Sequence, residues 1–557
     1  MNWPHLIILP VVLPLACGAL LLFAERRGSR RAPDFALAAV LAQIAVAVAL
    51  ALQAAQGPVQ AYLVGNWQAP FGIALALDRL AALMLVLAAV IALASLLYAR
   101  RRDAERGAHF HALLQFQLMG LNGAFLTADL FNLFVFFEVL LIASYALLLH
   151  GAGRARLRAA VHYVTFNLAG SALFLVAVSL LYALTGTLNL ADLALRVPQV
   201  AGEDAVLLRS AALLLLVVFC VKAALLPLYF WLPETYGAAT APVAALFAIM
   251  TKVGVYAIAR VYTLVFGDAG GAAAQVAWPW LPLLALATLA LGAVGALAAT
   301  RLRGLVAYLV VGSAGTLLLA LGLGSAGTVA AGLFYLVHST LTAAALFLIV
   351  DRVSALRGDH SDRLQPATPC GPATAAGAAF FFCAVAAAGL PPLTGFLGKA
   401  LLLDAAPGRS GTSAAPRARG CAAPPRGWRP ERGPRPPAGA RARRGRRTRA
   451  GRFDQAPLRG AADGDLRTVT AAVLPVVIGA FALAMLLAAW RLLRGPSLPD
   501  RILALDTLYI DSLALLVLVG VYRDTPLYFE AALVISMLGF VGTVVLSKYL
   551  MRGDIAE

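Results

Sequence analysis

Lysine is rare in this chain, and its placement points to chemistry. Of the 45 basic residues only four are lysines (Lys222, Lys252, Lys399 and Lys548), so 41 are arginines. Three of the four lie inside apolar runs, FCVKAALLP, AIMTKVGVY and GFLGKALLL. Arginine fills the loops, where charge alone matters. The difference between the two is titration: a buried ammonium can release its proton near neutral pH, whereas a guanidinium essentially cannot. A device that loads and unloads protons needs the titratable cation. The structural alternative is a lysine that snorkels to the surface. Lys252 lies about twelve residues into its run, which argues against that alternative.

One acid has a comparable position. Glu138 falls in the middle of DLFNLFVFFEVLLIASYAL. An ionisable group at that depth is costly unless it is paired, neutral or hydrated, and is functional by default. A nearby lysine would hold the carboxylate charged and would release that hold when its own proton moved. His338, in LFYLVHSTLTAAALF, suits a relay because imidazole titrates near neutrality; a hydrogen-bonded neutral imidazole in a helix bundle is the plainer alternative. His162 carries less weight. Two runs are interrupted next to a lysine. PLYFWLP, with Pro227 and Pro233, follows Lys222, and GLPPLTGF, with Pro391 and Pro392, precedes Lys399. Proline removes an intrahelical hydrogen bond, and interrupted helices at matching places in two halves are the best sequence pointer to a transporter site. A merely kinked structural helix is the alternative.

The elements that hold these groups follow from composition. The chain has 557 residues, 61% hydrophobic and 13% charged, against roughly 45–50% and 25% in a soluble domain. That excludes an ordinary soluble protein and, because hydropathy is high, global disorder. Apolar runs of about twenty residues, enough to span a bilayer as helices, cover 4–24, 34–55, 78–99, 109–127, 129–149, 160–184, 207–232, 240–266, 279–300, 303–323, 328–350 and 372–404. Three more follow at 469–493, 501–522 and 526–550. The expected fold is therefore an all-α integral membrane protein of about 15 spans. The first run lacks the basic flank of a cleaved leader. Loops after odd-numbered runs among the first twelve hold sixteen Arg and those after even-numbered runs only Arg196. By the positive-inside rule the N-terminus lies outside. The interrupted seventh and twelfth runs are five apart, which predicts two five-helix repeats, runs 4–8 and 9–13, with the last helix lost.

Of the net charge of +18, twelve lie in one segment. Residues 405–467 contain sixteen Arg against four acids. They have no interleaved aromatics beyond Trp428 and Phe453, so no nucleic-acid partner is expected. This Arg/Pro/Gly/Ala-rich segment reads either as a flexible, disordered linker or as an out-of-frame stretch of GC-rich DNA joining two genes; the second is favoured. The five Cys are scattered without a CxxC pair, and no metal or cofactor site is expected.

Four motifs then carry a resemblance. TADLFNLFVFFEVLLIASYALL (127–148), VKAALLPLYFWLPETYGAATAPVAALFAIMTKVGVYAI (221–258), YLVHSTLTAAALF (335–347) and GLPPLTGFLGK (389–399) resemble the D component of Mrp-type multisubunit monovalent cation/proton antiporters, itself similar to the antiporter-like proton-pumping subunits of respiratory complex I. The match covers residues 1–404. It implies a fourteen-helix protein with inverted repeats, of which twelve helices are present. It also implies a Glu138–Lys222 pair and a hydrated axis through Lys252 and His338 to Lys399. The tail, about 468–557, is similar to the three-helix F component of the same complex; Asp506 lies in its motif, with a helix-end acid as the alternative. The resemblance implies a hetero-oligomer with other antiporter subunits in the bacterial inner membrane, moving protons against Na⁺ or K⁺ and making no bond in a substrate. The alternatives are a proton-pumping subunit of an NADH dehydrogenase-like complex, and an inactive fused product acting at most as a scaffold.

Overall fold

The computed structural model describes residues 4–70, 72–100, 107, 109–151, 153–365, 374–406 and 463–494, with scattered positions between 504 and 519. The chain divides into two units, Met1–Pro430 and Glu431–Glu557.

The first unit opens with α1 (Leu9–Arg26) and α2 (Ala32–Gln56). A short antiparallel hairpin follows, β1 (Gln60–Leu63) and β2 (Ala74–Leu77), with Gln60 opposite Leu77. It leads into α3 (Arg79–Ala99), α4 (Phe110–Leu126), α5 (Leu130–Leu149) and α6 (Arg154–Thr185). The short α7 (Leu190–Arg196) precedes α8 (Ala205–Ala223), α9 (Trp231–Ala238), α10 (Ala241–Phe247) and α11 (Met250–Leu264). Then come α12 (Leu281–Ala298), α13 (Leu302–Gly322), α14 (Ala326–Leu356), α15 (Thr374–Ala388) and α16 (Thr394–Ala405). The described part of the second unit is mainly α17 (Asp463–Arg494). Among the described residues ten segments are long and apolar enough to cross a membrane. The 17-residue α4 and the α15–α16 pair complete the twelve runs expected up to residue 404. The last expected run, much of the run at 501–522, Asp506 and most of 405–467 lie outside the described residues.

Chain entries are fixed locally. Asp78 caps α3 by accepting from Ala81 N at 2.8 Å, Asp129 caps α5 through Asn132 N at 2.8 Å, and Ser325 caps α14 through Thr328 N at 3.0 Å. Each cap satisfies one of the four orphan N–H groups of a helix start. Large apolar side chains stand on the outside, Leu297 at 88% and Phe381 at 71% exposed, while Lys222, Lys252 and His338 are buried. That distribution is the reverse of a soluble surface and suits a hydrocarbon solvent.

Both expected interruptions are present. α8 stops at Ala223 because Ala224 turns left-handed (φ +55°) and residues 224–230, with Pro227, are not helical. Pro233 sits in the first turn of α9, where a missing N–H costs nothing. Residues 389–393, with Pro391 and Pro392, separate α15 from α16. Glycine lets α8 and α11 approach closely: a Cβ at Gly254 would lie 2.5 Å from Ala223 N and 2.8 Å from Lys222 C. Gly254→Val should therefore destabilise by about 1–3 kcal/mol through overpacking, read as a lower melting temperature of the detergent-solubilised protein. Gly304→Ala, where a Cβ meets nothing within 4 Å, should leave that temperature unchanged or slightly raised.

Candidate functional site

The structure gathers the sequence-derived residues into two clusters. In the first, α5 brings Glu138, α6 brings Asn167 and Ser171, and the last turn of α8 brings Lys222. Lys222 Nζ donates to Ser171 Oγ at 3.3 Å, to Asn167 O at 3.3 Å and to Asn167 Oδ1 at 3.5 Å. Ser171 Oγ in turn makes a short hydrogen bond to Glu138 Oε1. The expected acid–amine pair is thus bridged by a hydroxyl. Lys222 is only 5% exposed and its Nζ lies 5.7 Å from the Phe137 ring centroid, an arrangement that adds a favourable cation–π interaction.

The bridge follows from helix geometry. Tyr163, Asn167 and Ser171 are four residues apart and so share one face of α6. Tyr163 stacks on Trp231, whose Nε1 donates to Val221 O at 3.1 Å, next to Lys222. Sequence reasoning missed Asn167 and Ser171; their four-residue spacing within the sixth apolar run was the available signal.

The second cluster is built on α11, α13, α14 and the second interruption. Lys252, fully buried, donates to Ser313 Oγ at 2.8 Å and to Thr251 Oγ1 at 3.2 Å. Ser313 also lines a cavity of about 190 Å³ shared with Thr316, His338, Ser339, Thr342 and Lys399. That volume holds several water molecules, and its lining gives them partners. Thr394 Oγ1 lies 2.8 Å from His338 Nδ1. Lys399 follows its interruption whereas Lys222 precedes its own. Its Nζ folds back to donate to Ala388 O at 2.8 Å and Ala387 O at 3.5 Å, the free carbonyls that end α15, a favourable place for a cation.

Between the clusters, α8 and α11 touch at Gly254. His162 stands apart, half-exposed, with Nδ1 3.4 Å from Glu234 Oε2 of α9. The carbonyl end of α9 is held from two sides. Arg156 Nε donates to Ala238 O at 3.0 Å, and Arg303 Nη1 donates to Ala239 O at 3.2 Å. Arg303 also grips Asp351 of α14 at 2.7 Å, and Tyr98 OH donates to the other oxygen of that carboxylate at 2.8 Å.

Residues 127–414 match the family described as "NADH:quinone oxidoreductase/Mrp antiporter, TM", and residues 499–551 match "Multiple resistance and pH regulation protein F (MrpF / PhaF)". A protein of Rhizobium meliloti (strain 1021), named as the probable D subunit of a K(+)/H(+) antiporter, is 45% identical over 427 residues, covering 72% of this chain and 79% of the relative. The D subunit of a Na(+)/H(+) antiporter from Bacillus subtilis (strain 168) is 38% identical over 400 residues, covering 71% and 79%. Among solved structures, the Mrp complex from Dietzia sp. DQ12-45-1b is similar with a TM-score of 0.64 and 29% identity, over 72% of this chain and 74% of that one. Respiratory complex I from Thermus thermophilus is similar with a TM-score of 0.61 and 28% identity, over 71% and 81%.

Ser171→Ala should cut the cation-driven proton movement for which the relatives are named by roughly tenfold or more, the size of one lost hydrogen bond to a charged group (about 1.5–3 kcal/mol). Ser171→Thr should keep most of it. Dequenching of a pH-sensitive dye in everted vesicles reads both.

Proposed function

This chain belongs to the family of membrane subunits shared by NADH:quinone oxidoreductases and Mrp antiporters, and we propose that it is the proton-moving, D-type member of a multisubunit Na⁺(K⁺)/H⁺ antiporter, continued by an F-type tail. The observation that carries this reading is the hydroxyl-bridged contact of Glu138, Ser171 and Lys222 inside an apolar bundle, with a second buried lysine and a polar cavity beyond it. Residues 1–404 form the antiporter-like domain, 405–467 the linker and 468–557 the tail domain. The N-terminus faces outside across a bacterial inner membrane, with other antiporter subunits as partners.

The chemistry is proton transfer between stationary groups. With Lys222 protonated, its ammonium donates to Ser171 Oγ, which donates to Glu138 and stabilises the carboxylate. When the proton leaves Lys222 that stabilisation lapses, and Glu138 takes up a proton. Lys252 is the next station. Its ammonium rests on Ser313 at the wall of the cavity, whose water would pass the proton to His338 and Lys399. No substrate bond is made. Export of Na⁺ or K⁺ is driven by returning protons along this axis. D-type antiporter relatives at 38–45% identity favour this reading over a respiratory pump.

Glu138→Ala and Lys222→Ala should each abolish sodium- or potassium-dependent dequenching in everted vesicles from a strain lacking its own antiporters. Unchanged dequenching in either variant would refute the assignment, and an inactive unsubstituted chain would favour the scaffold reading. Lys252→Arg separates relay from electrostatics: the charge is kept, but arginine does not release a proton at physiological pH. It should be as inactive as Lys252→Ala in the same assay.

A further inference from the structure

The lysine axis leaves a second set of buried polar groups unused. Among the described residues nine buried side-chain nitrogen or oxygen atoms have no hydrogen-bond partner, and six of them lie on α2, α3 and α4. They are Gln43 Oε1, Ser95 Oγ, His111 Nδ1, Gln115 Nε2 and both amide atoms of Gln117. All five side chains are at most 5% exposed. In a hydrocarbon solvent no bulk water reaches such atoms, and leaving them bare is costly. Their concentration in three neighbouring helices calls for an occupant.

Two of these atoms share a location. His111 and Gln115 fall on one face of α4 together with Asn122, at spacings of four and seven residues. Gln43 Nε2 of α2 donates to Gln115 Oε1 at 2.6 Å, and Asn122 Nδ2 donates to Pro10 O of α1 at 2.9 Å. Pro14 has no N–H to give that carbonyl, so Asn122 replaces the missing helical donor. The face therefore looks onto α1 and α2. At its other end Glu25 Oε2 of α1 lies 3.3 Å from His109 Nδ1. From His109 to Asn122 is about 20 Å along the helix, some two-thirds of a hydrocarbon core. Gln117, two residues past Gln115, is on the opposite face.

The chemistry of the bare atoms selects the occupant. Flipping both amides of the Gln43–Gln115 pair exchanges the atoms left over but still leaves one acceptor and one donor. A metal cation would satisfy only acceptors. Water satisfies both, and a buried water typically makes about three hydrogen bonds. We propose that α1, α2 and α4 enclose a file of water molecules running from Glu25 and His109 past His111 and the Gln43–Gln115 pair to Asn122, and that this file conducts protons to and from the Glu25–His109 end. The proposal rests on the reading of the chain as a proton carrier.

The test uses the assembled antiporter in its membrane. Gln115→Cys should react with a small, membrane-permeant methanethiosulfonate at least tenfold faster than Leu121→Cys, because a thiolate forms only where water is present; Leu121 is fully buried in the same helix. The unsubstituted chain gives the baseline for the native cysteines. Labelling at position 115 after assembly should then plug the file and reduce cation-driven proton movement at least fivefold relative to the unlabelled variant, with folding untouched. Reaction at 115 no faster than at 121 overturns the water file. Fast reaction with unchanged proton movement overturns conduction. Labelling rate does not depend on transport, so a failure of the relay reading, seen in Glu138→Ala, is distinguishable from a failure of this one.

Discussion

A charge inside a bilayer must be held or neutralised, and this constraint organises the molecule. Lys222 is held by one serine hydroxyl, one backbone carbonyl and one side-chain amide, all from α6. The carboxylate it serves lies on α5, beyond the same hydroxyl. A direct ion pair would be stronger and harder to open, because breaking a buried pair leaves an uncompensated charge. A hydroxyl can both donate and accept, so it passes the influence of one group to the other whichever of them bears the charge. Phe137 lies beside the ammonium, and Trp231, stacked on Tyr163, holds the carbonyl next to Lys222.

The interrupted helices supply the second resource, free backbone carbonyls within the bundle. Every helix end leaves four of them without internal donors. At the end of α15 they receive Lys399, a cation that can change its charge. At the end of α9 they receive Arg156 and Arg303, cations that do not. The same structural need is thus met by a titratable group where the cavity opens and by permanent charges where the backbone has only to be held.

Much of this was legible in the sequence. Twelve apolar runs correspond to helices or helix pairs because a backbone in lipid has few alternatives to the α-helix. The lysines stood out because arginine had taken nearly every position where charge alone was wanted. Asn167, Ser171 and Ser313 did not stand out. Small polar residues are common in membrane helices, and what distinguishes these is register against another helix, which one chain segment does not reveal. The β1–β2 hairpin also escaped notice, since four-residue strands leave little alternation to read. So did the junction between α10 and α11, at Ala248 and Ile249, which breaks a continuous apolar run without proline or glycine.

Arg303 holds the end of α9 with one nitrogen and Asp351 of α14 with the other. α14 is a single 31-residue rod, and His338 lies thirteen residues along it from Asp351, about 20 Å away. A displacement of the α9 terminus therefore has two outcomes: the guanidinium lets go of one partner, or the rod is dragged along and the imidazole shifts with it. The bundle's two halves are geared together through this one guanidinium.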